Sequence, residues 1–287
     1  MTQAKLTQLS VLDLVPFGNA GVQTGFYALR LTPPDWTGWT PGQFVMLRHA
    51  NADSSMIWGR PFSICYTSSR DLVIFFQVRG RGTAALSRLQ PGALLDVWGP
   101  LGNGFAVEKD APTLLLAGGI GIAPFVGYVL AHPRPLNITL EFGHRMPLEC
   151  YPFDSITEKI TARAHLEKGP KDRDDFIALM EERIKAFAGG LVLACGPTPF
   201  LQAVQSLSRK YAARTQLSLE TRMACGVGAC LGCVVKAQMP PDAAAPVING
   251  PPLAPLPGDR GSYVQTCTCG PIFWADSVSL SQPSSTE

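Results

Sequence analysis

The chain has 287 residues, of which 46% are hydrophobic and 16% are charged, and its formal net charge at pH 7 is +2. This length allows two or three domains with separate cores, and the composition excludes an intrinsically disordered chain. The small net charge argues against nucleic acid or an anionic membrane surface as the main partner.

The first 21 residues, MTQAKLTQLSVLDLVPFGNAG, lack the basic and apolar regions of a secretory signal. We therefore expect a cytoplasmic protein, whose eight cysteines are reduced and serve as buried side chains or metal ligands. The longest uncharged run, 111–133, contains AGGIGIAP, whose glycines and proline would break a membrane-spanning helix. It is better interpreted as strand, turn and helix, so we expect no membrane partner.

Residues 5–105 alternate between apolar and polar with period two and are interrupted by Gly and Pro, as is typical of short strands. The strand-like stretches are QFVMLRHA (43–50), RPFSICYTS (60–68), LVIFFQVRG (72–80) and ALLDVWGP (93–100). Because no strong helical pattern intervenes, residues 1–107 are predicted to form a small antiparallel β-barrel or β-sandwich domain.

From about residue 110 the pattern changes to apolar strands that alternate with helical stretches. The predicted strands are TLLLAGG (113–119), NITLEFGHR (137–145) and LVLACGP (191–197). The predicted helices are IAPFVGYVLAH (122–132), FDSITEKITARA (153–164), RDDFIALMEERIKAF (173–187) and TPFLQAVQSLSRKYA (198–212). This alternation predicts a Rossmann-like α/β domain with a parallel sheet over 108–215.

The last segment, 216–287, is predicted to be a small cysteine-rich domain with an insertion at 239–260. Seven prolines in those 22 residues exclude a helix or a central strand, so the insertion is expected to be an extended surface loop.

The cysteines of this segment have the spacing of a plant-type [2Fe–2S] site. Cys225, Cys230 and Cys233 are separated by four and then two residues, and such a site needs one distant fourth cysteine. That cysteine is either Cys267 or Cys269. The glycines between the first three let the backbone approach a cluster closely.

Two other interpretations of these cysteines stay open, a zinc site and inert buried thiols. Zinc sites more usually combine two C-x-x-C pairs or mix cysteine with histidine, and no histidine follows His165. The remaining cysteines, Cys65, Cys150 and Cys195, stand alone and are interpreted as small buried side chains.

Glycine-rich turns point to phosphate groups. AGGIGIAPF (117–125) follows a buried strand and opens a helix, the arrangement that presents backbone amides to a pyrophosphate. It departs from the strict G-x-G-x-x-G pattern, and a tight turn without a ligand is the alternative. ACGPTPF (194–200) forms a second strand–turn–helix junction. Both turns are expected at the carboxyl ends of strands, where open α/β sheets bind ligands.

Two stretches in the first domain suit a second phosphate group. GRPFSI (59–64) places Arg60 within a strand, where its guanidinium could pair with a cofactor phosphate, or could simply be an edge-strand charge. VRGRGTAAL (78–86) is a glycine-rich turn that leads into a short helix. In the second domain, Glu141, His144 and Arg145 belong to the second strand of the α/β unit, where an adenosine ribose is usually recognised.

In this order, RPFSI, GGIGIAP and CGPTPF resemble the ferredoxin–NADP reductase superfamily. ETRMACGVGACLGCVV followed by YVQTCTCGPIF is similar, more narrowly, to the electron transfer subunits of class 1B dihydroorotate dehydrogenases. The resemblance covers nearly the whole chain. The proline-rich insertion is longer than expected for that family.

The resemblance implies FAD in the barrel, NAD in the α/β domain and a [2Fe–2S] cluster in the last segment. Arg60 would hold the FAD pyrophosphate, Ser63 would approach the flavin, and Gly82 with Thr83 would cradle phosphate. The full set of implied cofactor-binding residues is Arg60, Pro61, Phe62, Ser63, Gly82, Thr83, Gly119, Gly121, Cys195 and Gly196. The implied cluster ligands are Cys225, Cys230, Cys233 and Cys267, which makes Cys269 an additional thiol.

The resemblance also implies a reaction and a partner. Electrons would pass from the FMN of a catalytic dihydroorotate dehydrogenase subunit through the cluster and FAD to NAD⁺, in a heterotetramer that serves pyrimidine biosynthesis. No catalytic acid, base or nucleophile is required, because the cofactors carry the chemistry. The alternatives are a reductase subunit of another complex (a hydrogenase, a sulfide dehydrogenase or a ferredoxin:NADP oxidoreductase) and a zinc-stabilised binding module without redox activity.

Overall fold

A computed structural model describes residues 4–18, 24–50, 57–238 and 262–280. The predicted extended loop at 239–260 lies outside these residues. Within the described ranges no helix is long and apolar enough to cross a bilayer. The apolar run that begins at residue 111 forms a strand, a tight turn and a helix, as its glycines predicted.

The first part of the chain forms one antiparallel sheet of seven strands in the order β4-β3-β7-β1-β2-β6-β5. The strands are β1 (Lys5–Phe17), β2 (Phe26–Leu31), β3 (Phe44–His49), β4 (Arg60–Ser63), β5 (Tyr66–Thr67), β6 (Leu72–Gln77) and β7 (Leu94–Leu101), with helix α1 (Arg81–Leu86) between β6 and β7. Only Ile64 and Cys65 join the two edge strands, so the sheet curls on itself into a half-barrel.

A six-stranded sheet in the order β10-β9-β8-β11-β12-β15 follows. Its elements are β8 (Thr113–Gly118), α2 (Ala123–Ala131), β9 (Ile138–His144), α3 (Asp154–Thr157), β10 (Thr161–Leu166), α4 (Pro170–Ala186), β11 (Leu191–Cys195), α5 (Thr198–Lys210) and β12 (Thr215–Ser218). The five strands β8 to β12 are parallel, and strand order reverses between β8 and β11, where such sheets bind ligands.

Helices bury both faces of this sheet, which explains its continuous apolar strands. Leu114 and Leu116 of β8 pack against α4 and α5, whereas Leu115 and Ala117 face α2. The α2 face also packs on barrel residues such as Phe26. The half-barrel and the α/β unit therefore share one core.

The C-terminal segment forms β13 (Val234–Ala237), β14 (Tyr263–Gln265), α6 (Thr266–Cys269), β15 (Ile272–Trp274) and β16 (Val278–Ser279). Three of its strands make a small antiparallel sheet in the order β14-β13-β16. The fourth, β15, pairs antiparallel with β12 and so extends the α/β sheet. The domain boundaries at 107/108 and 215/216 stay predictions; strand β12 crosses the second.

The helix predicted at 153–164 is wrong for most of its length. Helix α3 has only four residues, and β10 follows as the edge strand of the sheet, parallel to β9. Its side chains alternate, and the polar Arg163 and His165 both hydrogen-bond to Glu141 of β9. This cross-strand pairing, which a local pattern does not reveal, favours the strand.

Helix α5 ends in a Schellman turn that contains an unusual residue. The Ala213 N–H donates to the Ser208 carbonyl (2.9 Å), and Ala212 has φ +49°. Glycine normally occupies that left-handed position.

We expect Ala212→Gly to raise stability by about 0.5–1 kcal/mol, measured as a higher thermal midpoint. Ala213→Gly, outside the left-handed region, should instead lower the midpoint; an equal rise in both variants would contradict this explanation.

Candidate functional site

The two phosphate-binding stretches predicted in the first domain meet in the structure. Arg60 opens edge strand β4, and its guanidinium lies against Gly82 in the first turn of α1: a Cβ at Gly82 would be 2.4 Å from Arg60 Nε. Arg60 also donates to the Trp58 carbonyl oxygen. A side chain at position 82 would therefore displace the Arg60 guanidinium. The pair forms a cradle of the kind that a pyrophosphate fits.

Thr83 shapes the turn beside this cradle. Its hydroxyl accepts hydrogen bonds from the backbone N–H groups of Arg79 (2.8 Å) and Gly80 (3.2 Å) and donates to the Gly80 carbonyl (3.1 Å). The implied role of Thr83 in cradling phosphate stays a prediction, and in the structure its hydroxyl bonds within the turn. Thr83 therefore holds the turn in place next to Arg60.

The rest of the RPFS stretch presents a half-buried edge. Pro61, Phe62 and Ser63 pair with β3 on one side only, since β4 is the edge of the sheet. The Phe62 ring packs edge-on against Phe76 with centroids 5.9 Å apart. An unpaired strand edge offers backbone donors and acceptors, so this edge fits a planar heterocycle such as a flavin.

The two glycine turns of the α/β unit also lie together, at the point where strand order reverses. A Cβ at Gly121 would be 2.2 Å from the Cys195 carbonyl oxygen, and a Cβ at Gly196 would be 3.2 Å from Gly118 Cα. Gly119 has φ +55° and open space where a side chain would begin. The turns thus leave a side-chain-free surface at the carboxyl ends of β8 and β11, which fits a dinucleotide pyrophosphate.

Cys195 ends strand β11 beside this surface. Desolvation raises the pKa of its thiol to about 12, although a hydrogen bond with Ser218 opposes the shift. The thiol is therefore protonated at neutral pH. It contributes a compact uncharged surface rather than a nucleophile.

The four predicted cluster ligands come together as two pairs of thiols. The Cys225 and Cys230 side chains form one interacting pair, and the Cys233 and Cys267 side chains form the other. Among the described residues, no three or more His, Cys, Asp or Glu side chains are arranged to hold a metal ion. A [2Fe–2S] cluster needs two thiolates on each of two irons, and the paired donor set fits that requirement.

Hydrogen bonds lower the pKa of two of these thiols, Cys225 and Cys233. Desolvation opposes ionisation of Cys225, but amides of Val227, Cys230 and Ala229 outweigh it and lower its pKa to about 7. The Cys267 thiol, with amides of Cys267 and Thr266, lowers the pKa of Cys233 to about 6 against the effect of burial. The pKa of Cys267 is correspondingly raised, since it holds the proton of that pair. Thiolates are the form that binds metal.

The structure separates the two cysteines between which the spacing could not choose. Cys267 packs with Cys233, Phe44, Met46 and Leu101 in one small core. Cys269 packs in the core of the α4–α5 face instead. The short helix α6 carries both and turns their side chains in different directions.

Residues of the half-barrel contact the loop that carries Cys225, Cys230 and Cys233, here called the cysteine loop. Trp98 of β7 donates its indole N–H to the Cys225 carbonyl (3.0 Å). Gly226 has φ +73°, and a Cβ there would be 2.5 Å from Met46 Cγ of β3. The Gln265 side chain donates to the Gly228 carbonyl (2.7 Å), which joins the loop to the segment before Cys267.

A second contact fixes the chain after Cys267. The Asn103 side chain donates to the carbonyls of Cys269 (3.2 Å) and Ile272 (2.8 Å) and accepts from the Ile272 N–H (3.0 Å). Sequence analysis did not single out Trp98 or Asn103. The available signals were an indole N–H that needs a partner and an asparagine between glycines, which often bonds to backbone.

The residues predicted to recognise ribose have different roles. Glu141 lies inside β9, fully buried, with its carboxylate bonded to Arg183 Nε (2.8 Å), His165 Nε2 (2.7 Å) and Arg163 Nη1 (3.2 Å). His144 is buried, with its Nδ1 2.7 Å from the Met146 carbonyl oxygen. Only Arg145 is exposed, and it pairs with Glu167. Glu141 is therefore a structural ion-pair centre, and its assignment to ribose is wrong.

A curled half-barrel followed by an α/β unit and a segment with four paired thiols defines a flavin- and nucleotide-binding reductase fold with an iron–sulfur segment. Solved structures share this fold. An NADH-dependent reduced ferredoxin–NADP oxidoreductase matches with TM-score 0.75 and 21% identity over 95% of this chain and 90% of that chain. A Plasmodium falciparum ferredoxin–NADP⁺ reductase matches with TM-score 0.59 and 12% identity over 72% of this chain and 91% of that chain.

Residues 220–245 match the iron–sulfur cluster binding domain of dihydroorotate dehydrogenase B. Electron transfer subunits of dihydroorotate dehydrogenase B (NAD⁺) match over most of their length. That of Caldanaerobacter subterraneus subsp. tengcongensis is 33% identical over 85% of this chain and 90% of its own. The electron transfer subunit of Listeria monocytogenes is 31% identical over 88% of this chain and 93% of its own length. The chain belongs to the family of dihydroorotate dehydrogenase B electron transfer subunits.

Proposed function

We propose that this chain passes electrons from a catalytic dihydroorotate dehydrogenase subunit to NAD⁺ by means of a [2Fe–2S] cluster and FAD. The observation that carries the proposal is the position of strand β3. Its Phe44 and Met46 pack against Cys233 and Cys267, and the same strand pairs with the RPFS edge. Neighbouring strands are about 4.8 Å apart, so the thiol pairs and the flavin edge lie close to each other.

The cofactors have complementary capacities: the cluster carries single electrons, FAD carries one or two, and NAD⁺ accepts a hydride. The chain supplies their positions. Arg60 would hold the FAD pyrophosphate beside Gly82, and Ser63 with Phe62 and Pro61 would border the flavin. The glycine turns at Gly119, Gly121 and Gly196, with Cys195, would receive the NAD.

The cluster ligands are proposed to be Cys225, Cys230, Cys233 and Cys267. Of these, Cys230 is exposed while Cys233 and Cys267 are buried. Exposed apolar side chains lie in the same loop: Val227 is 56% exposed and Leu231 54%. Desolvating such a surface favours protein–protein contact. We place the catalytic subunit there, in a heterotetramer, since the exposed Cys230 then faces the electron donor.

A cytoplasmic location fits the cysteines. All eight fall within the described residues, and each is a free thiol. Reduced thiols persist in the cytosol, where pyrimidine biosynthesis would supply the dihydroorotate.

Reconstitution tests the proposed function. The anaerobically purified holoprotein, mixed with the catalytic dihydroorotate dehydrogenase subunit from the same source, should form NADH at the expense of dihydroorotate only when both proteins are present. Reduction of ferricyanide by NADH, which bypasses the catalytic subunit, serves as the control. Ferricyanide turnover without dihydroorotate coupling would refute the proposed partner and leave the reductase chemistry in place.

The Arg60 cradle predicts an effect on FAD affinity. Arg60→Ala should weaken FAD binding by about 30- to 150-fold, because a charge-assisted hydrogen bond to phosphate contributes about 2–3 kcal/mol. Quenching of flavin fluorescence on titrating the apoprotein measures the dissociation constant. Arg88→Ala, an exposed arginine after α1, is the matched control and should leave it unchanged. Equal loss in both variants would show a general charge effect instead.

A further inference from the structure

We propose that Glu167 makes the dinucleotide site selective for NAD⁺ over NADP⁺ by holding Arg145 in an ion pair at the position of the adenosine ribose. The inference rests on the proposed function, because it assumes that the glycine turns after β8 and β11 bind the nicotinamide dinucleotide. It concerns the class of dinucleotide and not the electron donor.

Strand register places the pair next to the glycine turn. Gly118, the last residue of β8, pairs with Gly143 of β9, and His144 pairs with Leu166 of β10. Each strand ends there, so Gly119, Arg145 and Glu167 follow one another along one edge of the sheet. In doubly wound sheets, a dinucleotide that leaves its pyrophosphate at the glycine turn lays its adenosine ribose across the neighbouring strand end.

At that position the Arg145 guanidinium already forms an ion pair with Glu167. Its Nη2 lies 2.7 Å from Glu167 Oε1, and the Glu167 backbone N–H donates to the His144 carbonyl (2.8 Å), which fixes the two loops together. The arginine side chain is 72% exposed, whereas the glutamate side chain is only 26% exposed. A ligand that approaches from solvent therefore meets the Arg145 guanidinium, whose positive charge is already neutralised by the less exposed Glu167 carboxylate.

This pairing separates the two dinucleotides electrostatically. A 2′-phosphate needs a free cation, and here it would meet the Glu167 carboxylate as well as Arg145. A ribose 2′-hydroxyl carries no charge and can donate to a carboxylate, which is how acidic residues favour NAD. Glu141 cannot serve this purpose, because it is buried and bonded to two arginines and a histidine. We therefore assign to Glu167 the role of favouring a ribose 2′-hydroxyl over a 2′-phosphate.

Glu167→Gln tests the proposal in the full-length protein loaded with FAD and cluster. With ferricyanide as electron acceptor, the ratio of kcat/KM for NADPH to kcat/KM for NADH should rise about tenfold or more, since both a repulsion and a competing partner are removed. Binding of 2′,5′-ADP, which carries the 2′-phosphate, should tighten by a similar factor relative to 5′-ADP, measured by calorimetry. The double variant Arg145→Gln/Glu167→Gln should lose most of this gain.

A matched control exists at the amino ends of the strands of the same sheet, whereas Arg145 and Glu167 lie at the carboxyl ends. Glu108 pairs with Arg214 at 2.7 Å, the same distance as in the Arg145–Glu167 pair, but both residues precede strands. Glu108→Gln removes the same charge and should leave the ratio unchanged. A ratio in Glu167→Gln within about twofold of wild type, unchanged 2′,5′-ADP binding, or an equal gain in Glu108→Gln would each overturn the proposal. Loss of dihydroorotate coupling with the altered preference intact would refute only the proposed partner.

Discussion

Replacing Cys267 with alanine is expected to abolish the iron–sulfur cluster, whereas replacing Cys269 with alanine should leave it in place. With the proposed ligands, one iron would lose half of its protein ligands in the first variant, because Cys267 packs with Cys233. Cys269, two residues away, packs among apolar side chains of another core. Iron and sulfide analysis, together with the visible absorption of the anaerobically purified protein, gives the result directly.

The Cys269→Ala variant also serves as the control for folding. Loss of a small buried side chain should cost about 1 kcal/mol, which thermal unfolding can confirm. Loss of iron and sulfide from the Cys269→Ala protein, with both retained in the Cys267→Ala protein, would reverse the assignment of the fourth ligand. Binding of one zinc ion by the wild-type protein in place of iron and sulfide would favour the zinc-stabilised module.

Replacing Glu141 with glutamine is expected to destabilise the α/β unit by about 3 kcal/mol. This is the low end of the range for removing one partner from a buried ion pair, because Arg163 and Arg183 are partly exposed to solvent. The carboxylate joins β9 to β10 and α4, so glutamine leaves Arg163 and Arg183 without the negative charge and offers one acceptor oxygen fewer to the three partners. Denaturant unfolding should show a lower midpoint, and Glu108→Gln, whose ion pair lies near the surface, should show little change.

The same residue gives the protein a pH dependence with a defined sign. Burial alone would raise the Glu141 pKa, but the hydrogen bond from His165 and the charges of His165, Arg183 and Arg163 lower it below its ordinary value of 4.5. A lowered pKa stabilises the fold fully above the unfolded value, and this contribution is lost as the pH falls through the folded value. Wild type should therefore lose stability below about pH 4.5 more steeply than Glu141→Gln. Parallel curves would contradict this role.

Local patterns predicted the strand–turn–helix units well. The run 113–131 forms β8, a glycine turn and α2, because apolar strands, glycine turns and helix starts are each specified within a few neighbouring residues. The prediction of a helix across 161–164 was wrong because the structure of this stretch depends on contacts with a distant strand. Its strand depends on Arg163 and His165 reaching Glu141, which lies more than 20 residues earlier.

Residues close together in the chain were enough to predict the order of the folding units, the spacing of three candidate cluster cysteines and the positions of the glycine turns. The packing of distant elements was needed to show that Cys267 joins Cys233 while Cys269 does not, that Glu141 is buried in an ion-pair network, and that Arg145 is held by Glu167. Trp98 and Asn103 reach partners 127 to 169 residues away. Contacts at such separation arise from packing of whole strands, whose register and burial no local pattern encodes.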